Sequence, residues 1–238
     1  MFTIEKAVIL AAGMGNRLKP VTNEIPKPLV QVNGKRMLDS VIDALHENGI
    51  KEIYVVVGYR KEMFTVINKK YPEITFIDNP WFSESNNISS LYCARDHLEN
   101  AFILDGDQII YNSKILQKEA ERSGYNAVWT EKPTNEWLLS VKKNIITSCS
   151  RIGGNKGWQL YSVSRWSAED GKKLKNHLEI EFENGNWQIF WDDIALFCYP
   201  KEYSLGITKM NKEDIVEIDN LEELIKADPS YLRWREKL

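Results

Sequence analysis

The chain has 238 residues, of which 43% are hydrophobic, so it can fill one large core or two small ones. Its 31 Lys and Arg residues nearly balance 34 Asp and Glu residues, which leaves a formal net charge of -3 and no broad basic surface for a nucleic-acid partner. The three cysteines lie far apart without Cys-x-x-Cys spacing, which argues against a disulfide framework and against a thiolate zinc site.

The first half of the chain alternates strand-like and helix-like segments. Consecutive apolar residues, typical of parallel strands covered on both faces, occur at 7–12, 52–59 and 100–107. Helical spacing occurs at 37–50, 61–71 and 88–98. This order predicts an α/β fold with a doubly wound, mostly parallel sheet. The first apolar run is too short to span a membrane, so we expect a cytoplasmic protein without a membrane partner.

The second half has a different pattern. After about residue 125, short strand-like pieces are separated by polar turns, which predicts a small antiparallel extension of the sheet. Residues 167–182 are rich in charge and predict a surface helix. Leu221, Leu224 and Ile225 have helical spacing and predict a closing helix over 220–238. No linker or low-complexity tract interrupts the chain, so we expect one domain over residues 1–238.

The first predicted strand runs directly into a glycine-rich, basic loop, LAAGMGNRLKP. Gly13 and Gly15 leave backbone N–H groups free to face a phosphate, and Arg17 adds positive charge. Neither the P-loop pattern nor the dinucleotide fingerprint is complete here, and a plain strand-to-loop turn with a solvated basic rim is the alternative. Shortly afterwards two prolines flank Lys27 and restrict where its ammonium group can lie, which favours a triphosphate site.

Together, LAAGMGNRL and PKPL resemble the signature of the nucleoside-triphosphate nucleotidylyltransferases. The resemblance implies a Rossmann-like nucleotidyltransferase fold, with a nucleotide-binding half at about 1–125 and an acceptor-binding half at about 126–238. It also implies that Gly13, Arg17 and Lys27 hold the triphosphate, with Arg17 and Lys27 as the catalytic residues. The implied reaction is attack of a substrate phosphate oxygen on the α-phosphorus with release of pyrophosphate.

Acidic residues follow the third predicted strand in the sequence Asp105-Gly106-Asp107. Transfer between two polyanions requires charge neutralisation, so Mg²⁺ held by carboxylates is the expected cofactor. The alternative is that these acids begin a turn. By resemblance, Asp107 and the late Asp219 bind the metal and Asp105 lies nearer the nucleoside. Asp219 has the alternative role of a helix N-cap, and Asp192 is a rival ligand.

The acceptor half is rich in aromatic residues that lie next to acidic residues in the sequence. A methylated ammonium cannot donate hydrogen bonds and is bound by aromatic faces with a carboxylate nearby. Trp137, Phe190, Trp191 and Asp192 are the candidates for such a box. For any one of these aromatic residues, a place in the core is the competing interpretation.

A closer resemblance, to the bacterial choline-phosphate cytidylyltransferases, extends from Lys6 to Asp219. It rests on LAAGMGNRLKPVT, PKPLVQVNGK, VVVGY, NNISSLY, TNEW, FWDD and EID. It implies CTP and phosphocholine as substrates, with Trp137, Phe190 and Asp192 holding choline. The implied nucleotide-binding residues are Leu10, Ala11, Ala12, Gly13, Gly15, Tyr59, Asn87, Ser89, Ser90 and Asp105.

The acceptor remains open at this stage. An amide is usual in the family where this chain has Asp193, so an extra acid there favours a primary ammonium such as phosphoethanolamine or 2-aminoethylphosphonate. A sugar 1-phosphate is a further alternative among enzymes. A catalytically silent nucleotide-binding module is the alternative from a different class.

Overall fold

The computed structural model describes residues 1–237, which form a mixed α/β structure around one large sheet. The strands are Phe2–Thr3 (β1), Lys6–Ala11 (β2), Gln31–Val32 (β3), Lys35–Arg36 (β4), Glu52–Val57 (β5), Thr75–Asp78 (β6), Ala101–Asp105 (β7), Gln108–Ile110 (β8), Glu119–Ala120 (β9), Gly124–Thr130 (β10), Leu138–Lys142 (β11), Ile145–Ser150 (β12), Gly157–Trp166 (β13), Gly206–Lys209 (β14) and Ile215–Glu217 (β15). The helices are Met37–Glu47 (α1), Thr65–Lys70 (α2), Ile88–Cys93 (α3), Ala168–Glu183 (α4) and Leu221–Ala227 (α5).

The parallel half of the sheet has the order β7-β2-β5-β6. Because side chains alternate along a strand, β2 contributes to two cores, one on each face. Its Ala7 and Ile9 pack with α1 and α2, whereas Val8 and Leu10 pack with α3 and α4. The prediction of a doubly wound, mostly parallel sheet is therefore confirmed.

The antiparallel half begins where β13 pairs with β7, with Val163 opposite Leu104. From β13, successive pairings connect β10, β14, β12 and β11 and return to β13, so these five strands form a ring of pairings. The predicted antiparallel extension is thus a curled unit. Side chains of β13 contact both halves, which makes this strand the junction between them.

Four helix predictions need correction. The segment 61–71 divides into a 3-10 turn, Lys61–Phe64, followed by α2, and the segment 88–98 divides into α3 followed by a 3-10 turn, Arg95–His97. The charged helix α4 is no mere surface element, because Leu174, Leu178 and Phe182 are buried in the second core. The closing helix α5 ends at Ala227, since Pro229 lacks an N–H and disfavours helical backbone at the residue before it. A 3-10 segment, Pro229–Lys237, follows, and the last residue of the predicted helix, Leu238, lies outside the described residues.

The carboxyl ends of β2, β5 and β7 meet at one edge of the sheet. Segments from the antiparallel half and from β15 reach the same edge. In α/β folds such an edge is where ligands bind. Within residues 1–237, none of the helices combines the length and the apolar character needed to cross a bilayer.

Candidate active site

A continuous cleft runs along this edge and has three sections that share residues. The loop section is lined by Leu10, Ala11, Gly13, Gly15, Asn16, Arg17, Lys27, Pro28, Asn86, Asp107 and Asp219. The serine section is lined by Leu10, Ala12, Gly13, Asn79, Phe82, Ser85, Asn86, Asn87, Ser89, Ser90, Asp105 and Asp107. The aromatic section is lined by Arg17, Asn87, Asp105, Asp107, Asn135, Glu136, Trp137, Leu160, Ser162, Phe190, Asp192, Glu217 and Asp219.

The glycine-rich loop is held in a defined shape. Gly15 has a φ of +61°, in the left-handed region that glycine adopts without strain, and a Cβ there would lie 2.9 Å from Thr22 Cγ2. Thr22 Oγ1 donates a hydrogen bond to the Gly15 carbonyl at 2.9 Å. No atom lies within 4 Å of a Cβ built on Gly13. The loop therefore presents open backbone to the cleft at Gly13 and is fixed from behind at Gly15.

Four charged side chains converge in the loop section. Lys27 is only 7% exposed, and its Nζ lies 2.6 Å from Asp107 Oδ2 and 3.1 Å from Asp219 Oδ1. An Arg17 Nη2 lies 2.9 Å from the same Asp219 oxygen. Burial alone would lower the pKa of Lys27, but the two carboxylates hold it above its usual value. Lys27 is therefore a fixed positive charge.

The same pair of carboxylates has the chemistry that a magnesium ion requires. Mg²⁺ prefers carboxylate oxygens and usually keeps one or two protein carboxylates alongside substrate phosphates. Asp107 and Asp219 reach one point, Lys27 Nζ, from opposite ends of the chain, beside the glycine-rich loop. Among residues 1–237, no cluster of three or more His, Cys, Asp or Glu side chains is arranged as a metal site. A two-carboxylate site for Mg²⁺ fits these residues.

The serine section is organised by a buried amide. Asn79 Nδ2 donates to Ser89 Oγ and Ser90 Oγ, each at 3.0 Å, and so fixes both hydroxyl groups at the start of α3. Asn87 Oδ1 accepts from the backbone N–H of Trp191 at 3.0 Å. This bond ties the predicted nucleoside segment to the segment that carries the predicted acceptor residues.

Tyr59, predicted to bind the nucleotide, does not line the cleft. Its hydroxyl donates to the Thr22 carbonyl at 2.9 Å and accepts from Arg60 Nε at 3.1 Å. Because Thr22 in turn braces Gly15, Tyr59 supports the glycine-rich loop from outside. Tyr59 therefore contributes to the shape of the loop and does not face the cleft.

The aromatic section combines ring faces with acids. Trp137 lies edge-on to Phe190, with centroids 5.5 Å apart, and edge-on to Phe197, with centroids 5.6 Å apart. Phe190 is 42% exposed and available to a ligand. Burial raises the pKa of Asp192 to about 7. Burial, and then the charges of nearby acids, raise the pKa of Glu217 to about 8 and that of Asp105 well above its usual range.

Asp193 has a structural partner and does not face a ligand. It is 2% exposed, its Oδ1 lies 2.5 Å from Arg151 Nη2, and its Oδ2 accepts from the Phe190 backbone N–H at 2.9 Å. The Arg151 guanidinium lies over the Phe197 ring, 3.9 Å from its centroid, and 5.7 Å from the Trp137 centroid. The expectation that Asp193 supplies an extra acid for a primary ammonium is therefore not supported, because this acid positions the aromatic residues instead.

Trp191 corrects another expectation, since it lies in the core and not in the aromatic section. It is 4% exposed and packs against Tyr125 and Trp166, with ring centroids 6.1 Å and 6.0 Å away. The competing core interpretation is right for this residue. Its neighbours Phe190 and Asp192 point into the cleft because Trp191 anchors the segment from behind.

Sequence reasoning missed several residues in the cleft or in the layer that supports it. Glu217, the last residue of β15, lies two residues before Asp219, and both line the aromatic section, so this spacing is a signal that could have identified Glu217. Gln108 is fully buried, and its Nε2 donates to the carbonyls of Asp105 and Ser162 at 3.0 Å and 3.3 Å. Arg151 lies in a turn of the antiparallel half. Nothing in its sequence neighbourhood indicates its long-range partner.

The raised pKa of Asp192 predicts a pH-dependent stability. The folded state holds this proton up to about pH 7, whereas the ordinary carboxyl value is 3.8. The contribution of protonated Asp192 to the free energy of unfolding is therefore fully present below about pH 4, and it is lost as the pH rises through about 7. We expect Asp192→Asn to raise the Tm above about pH 8, by about 2–4 °C for each kcal/mol recovered, and to have little effect at acidic pH.

Thermal unfolding across this pH range, with the exposed-carboxylate variant Glu183→Gln as control, measures the effect. A Tm difference between Asp192→Asn and the unmodified chain that does not change with pH would contradict the raised pKa.

Comparisons with known proteins agree with this geometry. Residues 7–170 match the MobA-like NTP transferase domain. The chain is 35% identical to the 2-aminoethylphosphonate cytidylyltransferase of Lancefieldella rimae, covering 95% of this chain and 93% of that one, and 32% identical to the choline-phosphate cytidylyltransferase of Streptococcus pneumoniae, covering 94% and 96%. The solved structure of CTP:phosphocholine cytidylyltransferase from Streptococcus pneumoniae superposes with a TM-score of 0.89, at 31% identity, over 95% of this chain and 99% of that chain. Because this domain match covers more than half of the chain and both relatives are more than 30% identical over nearly all of it, this chain belongs to the MobA-like NTP transferase family of nucleotidyltransferases.

Proposed function

We propose that this chain is a cytidylyltransferase that condenses CTP with phosphocholine to give CDP-choline and pyrophosphate. The aromatic section carries the proposal. Trp137 and Phe190 offer ring faces, and Arg17 is the single cation among the described lining residues. The pKa values of the acids Asp192, Glu136 and Glu217 are raised in the free protein, and a bound cation would lower them and so favour the negatively charged forms. This combination suits a cationic, methylated group. The cytidylyltransferase relatives support CTP as the nucleotide.

In this mechanism the protein positions charge more than it moves protons. The glycine-rich loop, Arg17 and Lys27 bind the triphosphate. The phosphocholine phosphate, already an anion, needs no general base, and one of its oxygens attacks the α-phosphorus. A new P–O bond forms as the bond between the α-phosphorus and the bridging oxygen breaks, and pyrophosphate leaves with both electrons.

Lys27 has the central electrostatic role in this mechanism. It is buried, charged and held between two carboxylates, so its position changes little during the reaction. Preorganised charge of this kind stabilises the charge that develops on the leaving pyrophosphate. Asp107 and Asp219 would hold Mg²⁺, which supplies additional neutralisation of the phosphate charge.

In the aromatic section, at the other end of the cleft, the cationic group of the acceptor would be bound and held in position. Aromatic edges and faces at Trp137 and Phe190 favour methyl groups, and Asp192 supplies the counter-charge. The Arg151–Asp193 pair holds Phe190 and Phe197 in place, and because the pair is internally neutral it does not repel the bound cation.

A second candidate acceptor is 2-aminoethylphosphonate. Three carboxylates in the aromatic section, those of Asp192, Glu136 and Glu217, can accept hydrogen bonds from a primary ammonium, which a methylated one cannot donate. A relative with 35% identity over 95% of this chain acts on this compound according to its name. The two acceptors share the cleft and the reaction and differ only at the ammonium group.

Pyrophosphate release with Mg²⁺ tests the proposal directly. The assay crosses CTP, UTP, ATP and GTP with phosphocholine, phosphoethanolamine, 2-aminoethylphosphonate and glucose 1-phosphate. We expect turnover with CTP and phosphocholine because the aromatic section is built for a methylated cation. A preference for a primary-amine acceptor would select the second candidate. Turnover with glucose 1-phosphate instead would overturn the acceptor assignment. No pyrophosphate release in any combination would favour a binding module.

Asp107→Asn tests the metal assignment. It keeps the side-chain shape but removes the charge that both Lys27 and Mg²⁺ would use, so we expect kcat to fall by at least about 100-fold. The control is Asp96→Asn, an exposed carboxylate paired with Lys175 on the opposite side of the fold. Circular dichroism checks that both variants fold, and unchanged turnover in folded Asp107→Asn would remove the assignment.

Trp137→Ala separates acceptor binding from packing. Losing a cation–π contact predicts an increase of about 2- to 30-fold in KM for phosphocholine with little change in KM for CTP. Trp129→Ala is the matched control, because Trp129 belongs to the same half of the sheet, is 47% exposed and does not line the cleft. Equal increases in both KM values would indicate that Trp137 acts through packing alone.

A further inference from the structure

A buried arginine outside the cleft has no partner. Arg165, in β13, is 6% exposed, and its guanidinium makes no side-chain hydrogen bond or ion pair with any residue in the described range 1–237. Burial lowers its pKa to about 10, so it stays charged at neutral pH. Buried charges are normally paired, since an unpaired one loses its hydration without compensation. The Arg165 nitrogens are not fully enclosed by protein, so this unpaired guanidinium is open to a ligand from solution.

Arg165 lines a cavity of about 200 Å³ whose walls come from β9, β13, β14 and the adjoining turns. A second arginine, Arg122, lines the same cavity, together with the neutral polar side chains of Gln117, Asn144 and Thr208. Arg122 Nη1 donates to Ser204 Oγ at 3.2 Å, which holds this side chain across the β14 end. The bare backbone of Gly206 makes room for it, because a Cβ there would lie 2.7 Å from Arg122 Cδ.

Two acids, Glu119 and Glu121, also border the cavity. Glu119 is engaged elsewhere, since Thr3 Oγ1 lies 2.9 Å from each of its carboxylate oxygens. Glu121 is exposed to solvent. Within residues 1–237 neither forms an ion pair with Arg122 or Arg165. Glu119 and Glu121 offset the two arginines in formal charge, so anion binding here rests on the guanidinium donors that face the cavity and not on a net positive charge.

The cavity is separate from the cleft. Side chains alternate along β13, so Leu160 and Ser162 face the cleft, whereas Arg165 shares the opposite face with Tyr161 and Val163. Arg165 pairs with Gly124 of β10 and Phe102 of β7, at the end of β13 away from the glycine-rich loop. A ligand here would not compete directly with a triphosphate.

We propose that the cavity between Arg165 and Arg122 is a second anion site, which binds a small tetrahedral oxyanion of the phosphoryl class. Two guanidinium groups provide planar, multiple donors that match phosphate oxygens, and the neutral amides and the Thr208 hydroxyl complete the set. Its volume of about 200 Å³ lies below the range of about 300–1,000 Å³ typical of sites for larger organic ligands. Inorganic phosphate, pyrophosphate and the phosphate group of a small ester share the required chemistry.

Isothermal titration of the full chain with inorganic phosphate, pyrophosphate and phosphocholine, without Mg²⁺, tests the proposal and distinguishes the three sources. The variants are Arg165→Met and Arg122→Met, and the matched control is Arg233→Met, an exposed arginine far from the cavity in sequence. We expect each cavity variant to weaken one binding component at least roughly tenfold, since charged hydrogen bonds are lost. We expect anion binding in the cleft to persist in these variants, so the binding component that weakens is the one at the cavity.

Thermal unfolding gives an independent readout. We expect added phosphate to raise the Tm of the unmodified chain and of Arg233→Met, but not that of Arg165→Met. Without phosphate, Arg165→Met should be at least as stable as the unmodified chain, because it removes an unpaired buried charge. If this variant fails to fold, Arg165→Lys keeps the charge but loses the fork of donors. Identical anion affinities and identical phosphate-dependent Tm changes in unmodified and Arg165-substituted chains would overturn the proposal.

Discussion

The interaction on which the site depends is the pairing of Lys27 with two carboxylates, Asp107 and Asp219. These residues come from a 3-10 turn near the N-terminus, the segment after β7 and the segment after β15. A buried ammonium requires such partners, because its desolvation is otherwise uncompensated. The same contact therefore closes the fold around the cleft and places one positive and two negative charges beside the glycine-rich loop. Lys27 Nζ thus contributes both to the packing of the fold and to the charge of the site.

The acceptor end of the cleft is constructed differently, from a layer behind the ligand-facing residues. Trp191 in the core anchors the segment from which Phe190 and Asp192 point into the cleft, and Asn87 accepts a hydrogen bond from its backbone. Asp193 holds Arg151, whose guanidinium covers Phe197. Two adjacent aspartates thus have opposite uses, one facing the cleft with its pKa raised by burial and one neutralised within the protein. Burial and a local partner separate their roles.

Strand β13 connects these features because it pairs with the parallel sheet and with the antiparallel ring. Its alternating side chains serve the cleft on one face and the phosphoryl-class cavity at Arg165 on the other. The cleft and this cavity therefore share one strand without sharing a binding site.

Sequence alone determined the α/β class, the parallel strands and the glycine-rich and Pro-Lys-Pro segments, because these depend on local periodicity and local backbone chemistry. It also placed Asp105 and Asp107 after a buried strand. It could not separate Trp191 from Phe190, or Asp193 from Asp192, since adjacent residues of similar chemistry differ only in which way the folded segment turns them. The roles of Tyr59, Arg151 and Arg165 were beyond it for a different reason. Their roles follow from partners, or from the lack of a partner, that only the tertiary structure decides.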